Sequence, residues 1–124
     1  MKYTFSDAIL ILKPGASYIV RGEVYSDLEW LDSGQTKPTE TEINSKISAL
    51  DNAEPMRLLR VERDKRLAAC DWVSAKATDT GVAVSDAWKT YRQALRDLPA
   101  SASPKLNSEY ELDLTSVTWP TEPS

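Results

Sequence analysis

Apolar residues recur at helical spacing in three stretches of the chain. The first follows Pro38, where Thr39 and Glu42 have the spacing of a capping box. The apolar side chains that come next lie on one face of a helix, and they are Ile43, Ile47 and Leu50. The pattern therefore predicts an amphipathic helix that begins near residue 39.

The helical pattern meets a proline at position 55. A proline in a helix interior costs about 3 kcal/mol, because it lacks an N–H group and crowds the preceding turn. We therefore predict that Pro55 lies in the first turn of a new helix capped by Asn52, or else at a kink. This second helical stretch continues through "RDKRLAACDW" to Trp72.

The second helical stretch carries apolar side chains on two opposite sides. The two sets are Met56, Leu59, Leu67 and Cys70 on one side, and Leu58, Val61, Ala68 and Trp72 on the other. A helix that is apolar on two faces is buried between layers. The layers are other helices of the same chain, or another chain in a homo-oligomer or a complex with a partner.

The third stretch, "AWKTYRQALRDLP", follows Ser85, a residue suited to a helix N-cap. Its apolar side chains are separated by three, four and three residues, and they are Trp88, Tyr91, Leu95 and Leu98. Aromatic residues at this spacing usually bury their area, so we interpret the stripe as core rather than as a ligand platform. We predict that Pro99 ends this helix at Leu98.

The second and third stretches predict a helical hairpin. The intervening "VSAKATDTGVAV" is interpreted as a fraying helix end and a loop, which places Trp72 and Trp88 near the connected end. At the far end of two antiparallel helices, Arg63 and Asp64 would approach Arg96 and Asp97. We predict a reciprocal ion-pair cluster of these four residues, with a structural or partner-binding role.

The amino-terminal region predicts a short apolar element and a β-hairpin. Residues 6–12 form a helix or strand that stops at Lys13, before Pro14. The following stretch is rich in Tyr, Ile, Val and Trp, which favours two strands near residues 17–21 and 24–31. Two strands alone are marginal in water, so the hairpin must pack against another element.

The chain beyond Pro99 is rich in Ser and Pro. Tyr110, Leu112 and Leu114 alternate with acidic residues, which predicts a short strand or an extended docking segment, and Trp119 is expected to anchor the end in an apolar notch. The predicted fold is α+β, with a small hairpin, about three helices and an extended carboxy-terminal segment. We predict regions 1–38, 39–98 and 99–124 within one compact domain.

Composition narrows the function classes. The net charge of -4 and the pI near 4.8 argue against a nucleic-acid partner, because phosphate binding relies on clustered Lys and Arg. The sequence has no apolar run of about 18 residues, so we expect no membrane partner. It has no histidine, a single cysteine and four scattered glycines, so we expect no catalytic site, metal or cofactor. A lone cysteine forms no internal disulfide, which favours the cytoplasm.

Several of these residues together resemble a known family. The series is Arg63, Asp64, Leu67, Asp71, Trp72, Trp88, Tyr91, Arg92, Leu95, Arg96, Asp97, Leu98, Pro99, Trp119 and Pro120. It resembles the phage tail assembly chaperone family, in which we would expect Thr where this chain has Cys70. The stretch "LEWLDSGQTKPTETEI" is similar to the front half of related small tail proteins of phages and prophages.

The resemblance implies a non-enzymatic helper that binds a tail fibre protein or another tail protein in the host cytoplasm during virion assembly. It supplies no catalytic residues. A structural component or adaptor that stays in the tail or baseplate is the alternative.

Overall fold

The computed structural model describes residues 2–124. In chain order its helices and strands are α1 (Phe5–Leu12), β1 (Tyr18–Val20), β2 (Leu28–Trp30), α2 (Glu40–Ala69), α3 (Trp72–Thr80) and α4 (Asp86–Ser101). Two short 3-10 turns lie at Tyr25–Asp27 and Leu114–Ser116. The antiparallel hairpin together with the helices confirms the α+β class.

The chain groups into two compact units, Met1–Glu54 and Pro55–Ser124. The boundary lies inside the predicted helical region 39–98 and inside helix α2. The predicted boundaries after residues 38 and 98 come from changes in the sequence pattern, whereas the two units are defined by which residues pack together. The single compact domain therefore stays a prediction.

In the first unit, α1 begins at a capping box. The backbone N–H of Thr4 donates to Asp7 Oδ2 (2.8 Å), and the N–H of Asp7 donates to Thr4 Oγ1 (3.3 Å). The helix ends at Leu12, as predicted, because Lys13 precedes a proline. Its buried face joins a core made by Ala8, Ile9, Leu28 and Ile43.

The hairpin packs against that core. Strands β1 and β2 pair with Ile19 opposite Glu29, and the rings of Tyr18 and Trp30 stack at 6.1 Å. The indole N–H of Trp30 donates to the Gln35 carbonyl at 2.8 Å, which holds the following loop. The arms are shorter than predicted, because residues 25–27 form a 3-10 turn rather than strand.

Helix α2 begins where the capping pattern predicts, with the N–H of Glu42 donating to Thr39 Oγ1 at 3.1 Å. It then continues through Pro55 to Ala69, so the predicted new helix capped by Asn52 was wrong. A proline removes only one backbone hydrogen bond, here to the Asp51 carbonyl. Leu59, one turn after the proline, is fully buried and holds that turn of the helix in place.

Helix α2 ends earlier than predicted. The N–H groups of Cys70 and Asp71 bond three residues back, to Leu67 and Ala68, both at 3.2 Å. Such bonds tighten the chain into a 3-10 turn, so the predicted continuous helix through Trp72 was wrong. Residues 72–80 form the separate helix α3, which ends at Gly81 with a φ of 70°.

Helices α2 and α4 lie antiparallel, as predicted. Leu59, in the second half of α2, packs with Leu98, late in α4, whereas the end of α2 lies near the first turns of α4. Cys70, just after α2, packs with Tyr91 and Leu95. The prediction that Pro99 ends α4 was wrong, because the helix continues to Ser101 and the N–H of residue 102 still bonds the Leu98 carbonyl at 3.0 Å.

Across residues 2–124, no helix combines the length and the apolar character that crossing a membrane requires.

Candidate functional site

Arg92 closes the end of helix α2. Its Nη1 donates to the Leu67 carbonyl (3.3 Å) and to Cys70 Sγ (3.0 Å), and its Nη2 donates to Asp71 Oδ1 (3.1 Å). Carbonyl groups at a helix end lack partners within the helix, and a cation there also interacts favourably with the helix dipole. Arg92 and Asp71 of the family-like series thus join α4 to the turn between α2 and α3.

The contacts with Cys70 and Asp71 stabilise the charged form of Arg92. Burial alone lowers the pKa of the guanidinium, but the hydrogen bonds with Cys70 and Asp71 act in the opposite direction and leave the pKa raised overall. The Arg92 side chain is mostly buried, whereas the Asp71 side chain is 67% exposed. The contact therefore has the geometry of a structural tie rather than of a catalytic pair.

An aromatic group lies beside this tie. Trp88 meets Trp72 edge to face at 5.4 Å and Tyr91 at 5.8 Å. Tyr91 is buried, and its burial is the main cause that raises the pKa of its hydroxyl, followed by the nearby Glu122. The predicted stripe is confirmed as core, although Trp88 is only partly buried.

The predicted ion-pair cluster was wrong. Arg63 pairs with its neighbour Asp64 at 2.9 Å. Gln93, which the sequence analysis did not single out, bonds both other members, accepting from Arg96 (3.1 Å) and donating to Asp97 (2.9 Å). Gln93 is three and four residues before them, so local partners satisfy these charges on the same helix face.

The second apolar side of α2 is largely exposed. We call it the outer face, and it comprises Leu58, Val61 and Ala68 of α2 together with Trp72, the first residue of α3. Val61 is 55% exposed and Trp72 is 51% exposed, whereas Leu59 on the opposite side is fully buried. Ala68 is also exposed, and Leu58 is partly buried. Of the alternatives considered for this face, coverage by other helices of the chain was therefore wrong.

An open groove continues from the outer face at Trp72. It runs between α3 and the start of α4, with Val82, Val84 and Trp88 on its walls and Lys76 at its rim. Val82 is 68% exposed. Exposed apolar side chains thus extend from α2 into the loop that joins α3 to α4.

The carboxy-terminal segment lies against the helices of the second unit. We call residues 103–124 the strap. Val117 is buried with Leu59 and Leu98, and the ring of Trp119 lies over the Arg66 guanidinium at 4.1 Å. The predicted anchoring by Trp119 is confirmed. Arg66 was missed, although its ion pair with Glu62 at i,i+4 spacing is visible in the sequence.

The strap folds back on itself near its middle. Leu106 and Leu112 form a single antiparallel bridge, Tyr110 has a φ of 62° and Leu114 begins a 3-10 turn, so the alternating residues do not form the predicted strand. The N–H of Asp113 donates to the Lys105 carbonyl at 2.8 Å. The Asp113 carboxylate accepts hydrogen bonds from Thr115, which lower the pKa of Asp113.

Among residues 2–124, no group of three or more acidic or cysteine side chains is placed to hold a metal ion. The geometry instead offers apolar contact surface on the outer face and in the adjoining groove, next to a helix pair that Arg92 and the strap hold together. Such an arrangement suits protein binding.

Two kinds of comparison with known proteins bear on this site. A family model described as "Phage tail assembly chaperone protein" matches residues 56–124, which is more than half of the chain. The matched region begins one residue after the start of the second unit and contains the outer face, Arg92 and the strap. The searches of curated proteins and of solved structures gave no significant match.

Proposed function

The chain belongs to the phage tail assembly chaperone family, and from that premise we propose that it binds a tail fibre protein during virion assembly in the host cytoplasm. In this proposal it acts by binding alone and catalyses no reaction. The observation that carries the proposal is the exposure of the outer face, where Val61 and Trp72 stay about half exposed although Trp72 contacts Trp88 of α4.

The physical role follows from what an unassembled fibre subunit exposes. Before subunits associate, their strand edges and apolar surfaces are free to aggregate. The outer face and the adjoining groove present Val61, Trp72 and Val82 to solvent. Contact with these side chains would remove apolar area of both proteins from water, at about 25 cal/mol per Å². The chaperone would leave when contacts between fibre subunits replace it.

An adaptor role is the second candidate. A permanent subunit of the tail or baseplate, or a homo-oligomer, would cover the same outer face for the life of the particle. The two candidates differ in where the protein is found at the end of assembly. The amount of the protein in purified virions therefore distinguishes them. Presence at a defined stoichiometry would support the adaptor, and absence would support the assembly helper.

The outer face is tested by affinity capture from infected cells, with the tagged protein and its Val61→Ser, Trp72→Ser double variant. We expect the double variant to recover at least fivefold less tail fibre protein, as quantified by mass spectrometry. Leu10→Ser is the matched control, because Leu10 is 60% exposed but lies in the first unit. It should recover as much fibre protein as the unaltered chain.

Equal recovery by all three chains would contradict binding through the outer face. If fibre subunits, purified separately, stayed equally soluble and trimerised equally well with and without this protein, the chaperone role itself would be wrong.

A further inference from the structure

The strap is attached to the helices mainly through side chains. Val117 and Trp119 pack on α2 and α4, with the Trp119 ring over Arg66. Apart from Tyr110, the strap residues that the structure describes make hydrogen bonds only with one another. Even the Trp119 indole donates to Leu114 within the strap, at 3.2 Å.

This pattern of bonds makes the strap separable from the helices. A segment whose backbone groups bond to the helices would lose those hydrogen bonds on leaving. Each buried group left without a partner would then cost free energy. Apart from the interactions of Tyr110, the strap retains its hydrogen bonds when it lifts. Its departure exposes Leu59 and Leu98 and removes the ring from Arg66, which leaves an apolar groove beside the Arg66–Glu62 ion pair.

The end of the strap offers a starting point for displacement. An open groove separates residues 120–124 from the outward side of α4, between Asp86 and Ala94. Val117 is buried, whereas Thr118 beside it is exposed. Leu112 also packs against the cluster of Leu59 and Leu98, so the strap is held by a leucine and, further along the chain, by a β-branched side chain and an aromatic one two positions later.

We propose that the strap is a displaceable occupant of a peptide-binding groove between α2 and α4, and that an extended segment of the tail partner replaces it. The chemistry of the strap defines the partner segment, which carries a β-branched residue followed two positions later by an aromatic residue. The identity of the partner rests on the proposed function, but the groove and its exchange do not.

The exchange is tested with the full chain and a fluorescent synthetic peptide of residues 112–124. In the unaltered protein the tethered strap competes at an effective concentration of the order of mM, so the peptide should bind weakly. Trp119→Ala weakens the tethered strap without altering the side chains of α2 and α4 that line the groove. We expect the peptide to bind this variant at least tenfold more tightly.

Thr118→Ala is the matched control, because Thr118 lies between the two anchoring residues and is exposed. It should bind the peptide as weakly as the unaltered chain. Equal affinity of the peptide for all three chains would overturn the proposal, provided that circular dichroism shows the Trp119→Ala chain to be helical.

A second measurement needs no substitution that could unfold the protein. The chain is labelled with 5-fluorotryptophan, and unlabelled peptide is added to millimolar concentration. Because this concentration is close to the effective concentration of the tethered strap, about half of the Trp119 ¹⁹F signal should take its position in a free peptide. The resonance of Trp30, which stacks on Tyr18 in the first unit, should stay in place. A Trp119 resonance that does not move would contradict displacement.

These results are independent of the outer-face experiment. The peptide has the chain's own sequence, so a failed exchange leaves binding of a tail fibre protein through the outer face untouched. Failed capture of a fibre protein would in turn leave the measured exchange of the strap with the peptide unaffected.

Discussion

The two apolar sides of helix α2 have similar residues and opposite surroundings. Leu59 is fully buried, whereas Val61, two positions later, is 55% exposed. Helix α4 and the strap cover the first side through Leu98 and Val117, and the outer face has no such cover. Helical periodicity thus shows that a side is apolar, but it does not show which molecule covers it.

The largest difference between the two sides should appear on truncation of a core residue. Leu95→Ala removes a fully buried side chain that packs with Tyr91 and Cys70, and we expect it to lower the free energy of unfolding by about 2 to 5 kcal/mol. Val61→Ala on the outer face should change it by less than about 1 kcal/mol. Urea denaturation of both variants measures the contrast. Equal losses would mean that the outer face is covered in solution.

The two tryptophans of the aromatic group provide a finer comparison. Trp88→Ala should cost about 2 to 4 kcal/mol, because Trp88 is partly buried and contacts both Trp72 and Tyr91. Trp72→Ala should cost about 1 kcal/mol, since half of that side chain is exposed. Thermal midpoints of the two variants test the order. If Trp72→Ala proved the more damaging, the outer face would be part of the core.

Arg92 lies where the covered side of α2 ends, and it should contribute less than the buried apolar residues. Arg92→Ala removes the donors to Leu67 and Asp71 and should cost about 1 to 3 kcal/mol. Arg92→Lys should recover only part of this, because an ammonium group cannot reproduce the fork of the guanidinium. A fully stable Arg92→Lys chain in urea denaturation would show that charge alone is sufficient.

The smallest expected effect concerns pH. The pKa of Tyr91 is raised in the folded chain, mainly by burial, so the unfolded chain loses this proton first as the pH rises through about 10. The stabilising contribution is present below that pH and is lost above it. The free energy of unfolding should therefore fall more steeply between pH 9 and 11 for the unaltered chain than for Tyr91→Phe. Parallel curves would contradict a raised pKa of Tyr91.

Local sequence signals predicted much of the fold. The capping box at Thr39, the hairpin and the apolar stripe of α4 correspond to features of the structure. The errors fall where tertiary packing or local bonding outweighs a local rule. Pro55 and Pro99 lie inside helices next to the buried side chains of Leu59 and Leu98, and the local rules for proline do not take such packing into account.

The candidate site was predictable only in part. Trp72, Trp88 and Tyr91 lie together because helical spacing and antiparallel packing both place them at one end of the helix pair. The bond of Arg92 to the Leu67 carbonyl depends on the turn at residues 70 and 71, which the sequence pattern did not reveal. Gln93 bonds both Arg96 and Asp97, and a prediction based on opposite charges does not include a neutral amide.

The burial of Val117 also sets an order of events during synthesis. Val117 follows Glu54, the end of the first unit, by 63 residues, and it closes the cluster that contains Leu59 and Leu98. At roughly 5 to 20 residues per second, the ribosome needs about 3 to 13 s to add them. Hairpins and helices form in microseconds. For seconds, therefore, the nascent chain carries a complete first unit while Leu59 is not yet buried by Val117.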